Sequence, residues 1–496
     1  MTPFPLTSDM RREWRLAVAD RVMPLTLVII GMLTFLAMLA GQQRIEQRRR
    51  SQETLRQDNS LQQRFLESAF AENAAADSAI SELTPIQRDR QFELQMSAKS
   101  PDLMRYTGGI WWTIYPTSPL SSLSLGATGQ WPDRYHHAGS SVARTLRRSV
   151  RANPLLATVG AFDLTLLVGA ILPLAVIVLT YNVVASDREQ GRWPLVELHA
   201  PSRARLIVMR CFVRSSALAV VVVAMTAGCT LITEFSALDT AAIRNFLVWI
   251  SWLIAYLSFW TALGICVNSL NTSSSGAGLL LFLCWTTFVI AVPSLVQHEV
   301  NRRFPMLAPS QLFTMEEEVQ QQVEQESEQV WTTFVRENPG IALDSENPQQ
   351  EYLLRDLAVS QAVRARVRKQ LDESYQRFRD RESFLDQAQF LSPVIAWRTA
   401  ADQSAGTSVR HFLDFAGATS TFHERYLTYF ETFSVSGQEL SQSDLQAIPR
   451  FDPEQIQMEL HGLPLMMSAG SLLFWTACAG VCSAWNLRRR ISQTRS

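Results

Sequence analysis

Lysine occurs only twice in the 496 residues, as Lys99 and Lys369, and neither follows a glycine. The G-x-x-x-x-G-K-S/T loop that cradles nucleotide phosphates is therefore missing, and ATP hydrolysis by that route is excluded. The seven histidines, His136, His137, His199, His298, His411, His423 and His461, show neither H-E-x-x-H spacing nor a cysteine partner, so no zinc site is expected. His136 and His137 beside Asp133 read as residues of a polar loop. No G-x-S-x-G nucleophile elbow occurs. The six cysteines, Cys211, Cys229, Cys266, Cys284, Cys478 and Cys482, lie in or beside apolar blocks and read as small packing residues. No catalytic residue, metal or cofactor is expected.

One short run carries a positive signal of another kind. Ser186-Asp187-Arg188-Glu189-Gln190-Gly191 continues through Trp193, Leu195, Val196, Leu198, Pro201, Ser202 and Arg203. Acid, base and glycine followed by apolar residues suit a rigid element docked in a partner's cleft. Trp193, Leu195, Val196 and Leu198 would supply the apolar contacts, while Arg188 and Glu189 fix the element against neighbouring groups. Pro194 is tolerated only near a helix start, which predicts a helix beginning there. The plain alternative is an arginine-rich anchor at a membrane surface, which accounts for the arginines but not for Glu-x-Gly. Asp163 is the one acidic group placed to meet a substrate at the far edge of an apolar block. A helix N-cap is its more ordinary use.

The elements that hold these residues follow from hydropathy. Six uncharged blocks, 22–41, 164–185, 215–232, 246–267, 277–296 and 463–485, are each about as long as the roughly 20 residues a membrane helix needs. The absence of intramembrane charge argues against a transporter driven by protons or sodium. The first block is too long for a signal-peptide core, and Met38 stands where a cleavage site wants a small side chain. Arginines cluster before the first block, between the second and third (Arg188, Arg192, Arg203, Arg205, Arg210) and after the last (Arg488, Arg489, Arg490, Arg495). The short loop after the third block has only Arg244. The positive-inside rule then makes residues 1–21, 186–214 and 486–496 cytosolic, with both termini inside a bacterial inner membrane.

Residues 42–163 and 297–462 become extracytoplasmic segments, and neither contains a cysteine. Both are expected to be helical. From Gln350 to Phe384, Leu353, Leu357, Val363, Val367, Leu371, Tyr375 and Phe378 recur mostly at helical spacing, and Thr314 to Glu337 looks like an antiparallel neighbour. The Gln- and Arg-rich run Gln42 to Ala75 would extend the first span outward. Trp111, Trp112, Tyr115 and Trp131 form an aromatic segment suited to core or interface packing.

The run from Asp187 to Arg203 resembles the type 2 ABC-transporter permease family, in which an acidic-Arg-Glu-x-Gly signature opens a short cytosolic helix and a Pro-Ser-Arg turn follows. Asp187 stands where glutamate is commoner, and Arg192-Trp193-Pro194 replaces the usual Thr-Leu pair. Gly160-Ala161-Phe162-Asp163, Leu172-Pro173-Leu174, Leu391-Ser392-Pro393, Ala405-Gly406-Thr407 and His411-Phe412 are similar to a subgroup with large extracytoplasmic insertions of unknown function. The segment Asp9 to Asp20, with Trp14, Leu16 and Val18, looks like that family's interfacial connecting helix. The resemblance implies an all-α polytopic permease subunit without catalysis. It would pair with a second copy or paralogue, sit in membrane lipid, and couple a separate ABC ATPase to export or to motion of an extracytoplasmic domain and its periplasmic partner. No nucleic-acid partner is expected. A membrane-anchored receptor or assembly scaffold is the competing expectation.

Overall fold

The computed structural model describes residues 6–70, 89, 92, 99–105, 111–126, 133–137, 162–199, 202–234, 239–270, 272–305, 309–339, 341, 348–453, 456 and 460–493. The protein is mostly helical, and among the described residues six helices are long and apolar enough to cross a membrane, as in a multi-pass membrane protein. An amphipathic helix, α1 (Leu6–Ala19), precedes the long α2 (Val22–Phe70). The second span enters through a π-helical turn, Leu167–Ile171, and continues as α3 (Leu172–Thr180). Two short helices, α4 (Ala185–Glu189) and α5 (Trp193–His199), lead to α6 (Arg203–Glu234) and α7 (Thr240–Ser269). The fifth span is α8 (Ser274–Trp285), a π-helical turn Thr286–Ala291, and α9 (Val292–Arg303). Their core is dense with aromatics: Trp249, Tyr256, Phe259 and Trp260 are almost wholly buried against Leu167, Leu172, Leu218 and Val222. Burying such large rings makes them the main packing contribution of the bundle.

Helix α2 has 49 residues, about 74 Å at 1.5 Å per residue, against a hydrocarbon core of about 30 Å. No Gly or Pro interrupts the chain between Gln42 and Phe70, so the extension expected over Gln42 to Ala75 forms as one rod as far as Phe70; residues 71–75 lie outside the described residues. Beside it stands a lobe of α10 (Pro309–Gln325), α11 (Ser327–Glu337), α12 (Pro348–Ala388), α13 (Pro393–Ala405), α14 (Val409–Ser436) and α15 (Gln442–Ala447). The last span, α16 (Gly462–Gln493), follows. Val319 and Val323 pack on Val367, and Phe334 packs on Leu354 and Leu357, so α10 and α11 cover α12 as two helices that part at Glu326. Phe422, Tyr426 and Phe430 of α14 join Phe65 and Leu66 at the end of α2.

The aromatic segment, set apart in sequence from the mainly helical remainder of this half, contains strand rather than helix. Trp111–Ile114 (β1) and Arg134–His137 (β2) pair antiparallel, with Trp112 opposite His136. Trp, Thr and Ile suit a pleated surface, and α2 supplies polar partners for the strand backbone. The Asn59 amide donates to the Trp112 carbonyl and accepts its N–H, both at 2.9 Å, and Gln52 donates to the Tyr115 carbonyl. His136 and His137 are therefore strand residues rather than loop residues. Trp131 lies outside the described residues.

Within residues 297–462, read as an extracytoplasmic helical segment, one helix packs among the long apolar helices. Helix α13 returns into the bundle: Ala396, Trp397, Ala400, Ala401 and Ala405 are fully buried. Trp397 donates from Nε1 to the Thr165 carbonyl at 3.3 Å, and its ring lies 5.7 Å from Tyr256 and 5.6 Å from Trp249. Ser392 caps the helix start with Pro393 at its first turn, and Gly406 closes its end. Thirteen residues reach only about 20 Å, too short to register as a span. The two π-helical turns free backbone carbonyls for these contacts. Gly169 accepts from the Tyr256 hydroxyl at 2.7 Å, Ala170 from Trp285 Nε1 at 2.9 Å, and Phe288 from the Ser392 hydroxyl at 2.7 Å.

Candidate functional site

The run from Asp187 to Arg203 sits where α3 ends, and the carbonyls left open there are closed by side chains rather than by a continuing helix. Arg214 donates to Leu179 at 2.6 Å, Asn268 to Thr180 at 2.8 Å, and Arg210 to Val183 at 2.8 Å. This fixes the turn from which α4 departs. Asp187 of α4 accepts from Arg210 Nη1 at 2.6 Å and pairs with Arg192 at 3.3 Å. Arg210 also reaches Glu13 of α1 at 3.3 Å, so one guanidinium joins α1, α4 and α6.

Glu189 turns the other way. Its two carboxylate oxygens accept from the backbone N–H and the hydroxyl of Ser274, each at 2.8 Å, on the first residue of α8. An anion at a helix start meets free N–H groups and the positive end of the helix dipole, so this contact holds α4 to the fifth span. Two residues on, Gly191 has a φ of 67°, a left-handed conformation costly for other residues, and it sets the direction of α5. The Glu-x-Gly spacing is thus a clamp followed by a turn.

Trp193 was expected to offer apolar surface to a partner. Instead only 9% of it is exposed, among Val183, Val184, Ile207 and Cys211. The guanidinium carbons of Arg188 and Arg203 each lie 5.4 Å from its ring centre. Trp193 therefore anchors α5 from inside. Leu195 is 64% exposed and Val196 is half-buried, and these remain of the expected outward contacts. The side chain of Leu198 and all of Pro201 lie outside the described residues. Helix α5 begins at Trp193, with Pro194 in its first turn.

Asp163 is not placed to meet a substrate. It is buried, with one carboxylate oxygen accepting from Leu166 N–H at 2.8 Å and the other from Leu125 N–H at 3.2 Å. It caps the start of the second span.

Sequence reading missed the partners of this segment. Arg210 entered only as a topological charge, and Asn268, Ser274, Glu13 and Arg214 carried no signal beyond lying near apolar blocks. It also missed a polar pair in the lobe. His137 Nδ1 lies 3.1 Å from His423 Nδ1, and His137 Nε2 lies 3.0 Å from the Thr113 hydroxyl. Burial, then His423 and His136, holds the His137 pKa well below the usual imidazole range; burial and Arg364 bring that of His423 down to about 4. Among the described residues, no group of three or more His, Cys, Asp or Glu is arranged to hold a metal ion.

Residues 310–454 match the family model described as a domain of unknown function, DUF3526. The matched stretch runs from α10 through α15, so it takes in the lobe and the returning helix α13 but not α4 or α5. No curated protein and no solved structure matches the chain.

Proposed function

We propose that this chain is the permease subunit of an ABC-type exporter and receives movement from a separate ATPase through the α4–α5 segment. The observation that carries the proposal is that this segment is clamped on three sides and still presents Leu195 outward, at 64% exposure. Asp187 ties it to α6 through Arg210, Glu189 ties it to α8, and Trp193 seats it in the bundle. A push on α5 must therefore reach the second, third and fifth spans together. The resemblance of Asp187-Arg188-Glu189-Gln190-Gly191 to the permease signature supports the same reading.

In this reading the protein lies in a bacterial inner membrane with both termini in the cytosol and the mainly helical lobe in the periplasm. It pairs with a second copy or a paralogue, and its output is substrate export or motion of the lobe. The test is co-expression with the ABC ATPase subunits of the same genome and measurement of which ATPase co-purifies. Leu195→Glu is expected to lower ATPase recovery about tenfold, which corresponds to roughly 1.4 kcal/mol of binding. Leu279→Ala, on an outward face of α8, should leave it unchanged. Undiminished recovery with Leu195→Glu removes the coupling role and favours a receptor or assembly scaffold without transport.

A further inference from the structure

Helix α13 is gripped at one end by the spans and at the other by the lobe. At its entry, the Gln389 side chain and carbonyl accept from the Ser468 and Ser471 hydroxyls of α16, each at 2.6 Å, and Trp475 donates to the Phe390 carbonyl at 3.0 Å. Its middle rests on Gly169, where an added Cβ would lie 3.4 Å from Trp397 Cδ1. At its exit the Gly406 carbonyl accepts from Tyr115 OH at 2.8 Å, and Asp402 accepts from the Ser124 hydroxyl. An Asp386–Arg410 ion pair then bridges the helices on either side of it.

The connections at its two ends are short. Only Gln389–Leu391 and Ser392 separate α12 from α13, and only residues 406–408 separate α13 from α14. Both connections are hydrogen-bonded; residues 406–408 are buried, and in the first connection Gln389 and Ser392 are buried while Phe390 and Leu391 are exposed, so the hydrogen bonds limit how much displacement either can absorb. Packed interiors shift between discrete arrangements rather than deforming continuously. Helix α12 is 41 residues, about 60 Å long, so a tilt of about 5° at its base moves its far end by about 5 Å.

We infer that α13 transmits rearrangement of the spans into the lobe, so that the lobe is a moving output of the bundle rather than a passive cap. The permease reading supplies only the source of that movement. The link itself is a property of this chain.

The experiment is hydrogen–deuterium exchange of the full chain in lipid nanodiscs. Gly169→Leu drives a wedge against Trp397, and Leu279→Ala is the control. The wedge should raise exchange about threefold or more in α12 and α14, far from residue 169, while the control matches wild type. Trp397→Phe, which removes the N–H bond to Thr165 without adding bulk, should give the same pattern at smaller amplitude. It keeps the comparison readable where the wedge blocks insertion. Changes confined to residues 164–180 and 393–405, with α12 and α14 unchanged, overturn the link. No ATPase is needed here, so failure of the permease reading and failure of the link give different results.

Discussion

Buried titratable groups give the lobe opposing responses to acid. His423, with its folded pKa brought down to about 4 by burial and Arg364, is neutral in the folded lobe at pH 7 and protonates near 6.5 once unfolded. A lowered folded pKa means that stability is complete above pH 6.5 and is lost as pH falls toward 4, on the order of 2–3 kcal/mol. Glu382 works the other way. Burial, opposed by Arg410, pushes its pKa up to about 7, so the folded state takes up a proton first and gains stability as pH falls from 7 toward the ordinary carboxylate range. From pH 7.5 to pH 5.0, protection factors, which divide out the pH dependence of intrinsic amide exchange, should therefore fall in 412–430, around the histidine pair, and rise around Glu382. His423→Leu should flatten the first response and leave the second. A uniform fall in protection in both regions would contradict this assignment of the buried groups.

Among the elements, two turns share a backbone conformation and differ in what surrounds them. Gly191 has a φ of 67° with no atom within 4 Å of an added Cβ, so Gly191→Ala carries only the conformational cost, about 1 kcal/mol. Gly126 has a φ of 43°, and its added Cβ would sit 2.5 Å from the Thr407 carbonyl oxygen, where the β1-side loop meets the exit of α13. Gly126→Ala must displace backbone as well and should cost on the order of 3 kcal/mol. Thermal unfolding in detergent should show a clearly larger drop for Gly126→Ala; equal drops would mean that the two loops do not pack as closely as described. Legibility in the sequence follows the same division between local and tertiary causes. The rod of α2 was readable because 29 residues from Gln42 to Phe70 contain neither Gly nor Pro. The return of α13 was not, although Ser392-Pro393 and Gly406 mark its ends, because thirteen residues with Arg398 and Asp402 fall below any span threshold. Strand β1 is four residues long, too short for alternation to outweigh its helical surroundings. Trp193 in a polar run looks like contact surface, and only tertiary structure brings Val183, Ile207 and Cys211 around it.

At the scale of the whole molecule, the chain passes back and forth so that α4, α5 and the start of α8 share one end of the bundle while the lobe occupies the other. Glu189 meets Ser274 at the first end, and Arg49 of α2 makes a two-bond contact with the buried Glu234 at the second, at 2.8 and 2.9 Å. In the permease reading the six long apolar helices found among the described residues all cross the membrane and leave both termini on one side, which the positive-inside rule, applied to Arg188, Arg192, Arg203 and Arg205, makes the cytosol. The permease proposal depends on this orientation, because an ATPase can reach Leu195 only from the cytosol. Single cysteines at Arg192, 59% exposed, and Tyr352, 71% exposed, on a background lacking the six native cysteines, test it in intact bacterial cells with a membrane-impermeant maleimide. With the outer membrane made permeable to the reagent, Tyr352→Cys should label at once and Arg192→Cys only after lysis. The reverse pattern would place the α4–α5 segment outside and end the ATPase-coupling proposal. The link through α13 would survive that outcome, since it depends on contacts within the chain and not on which side of the membrane the lobe faces.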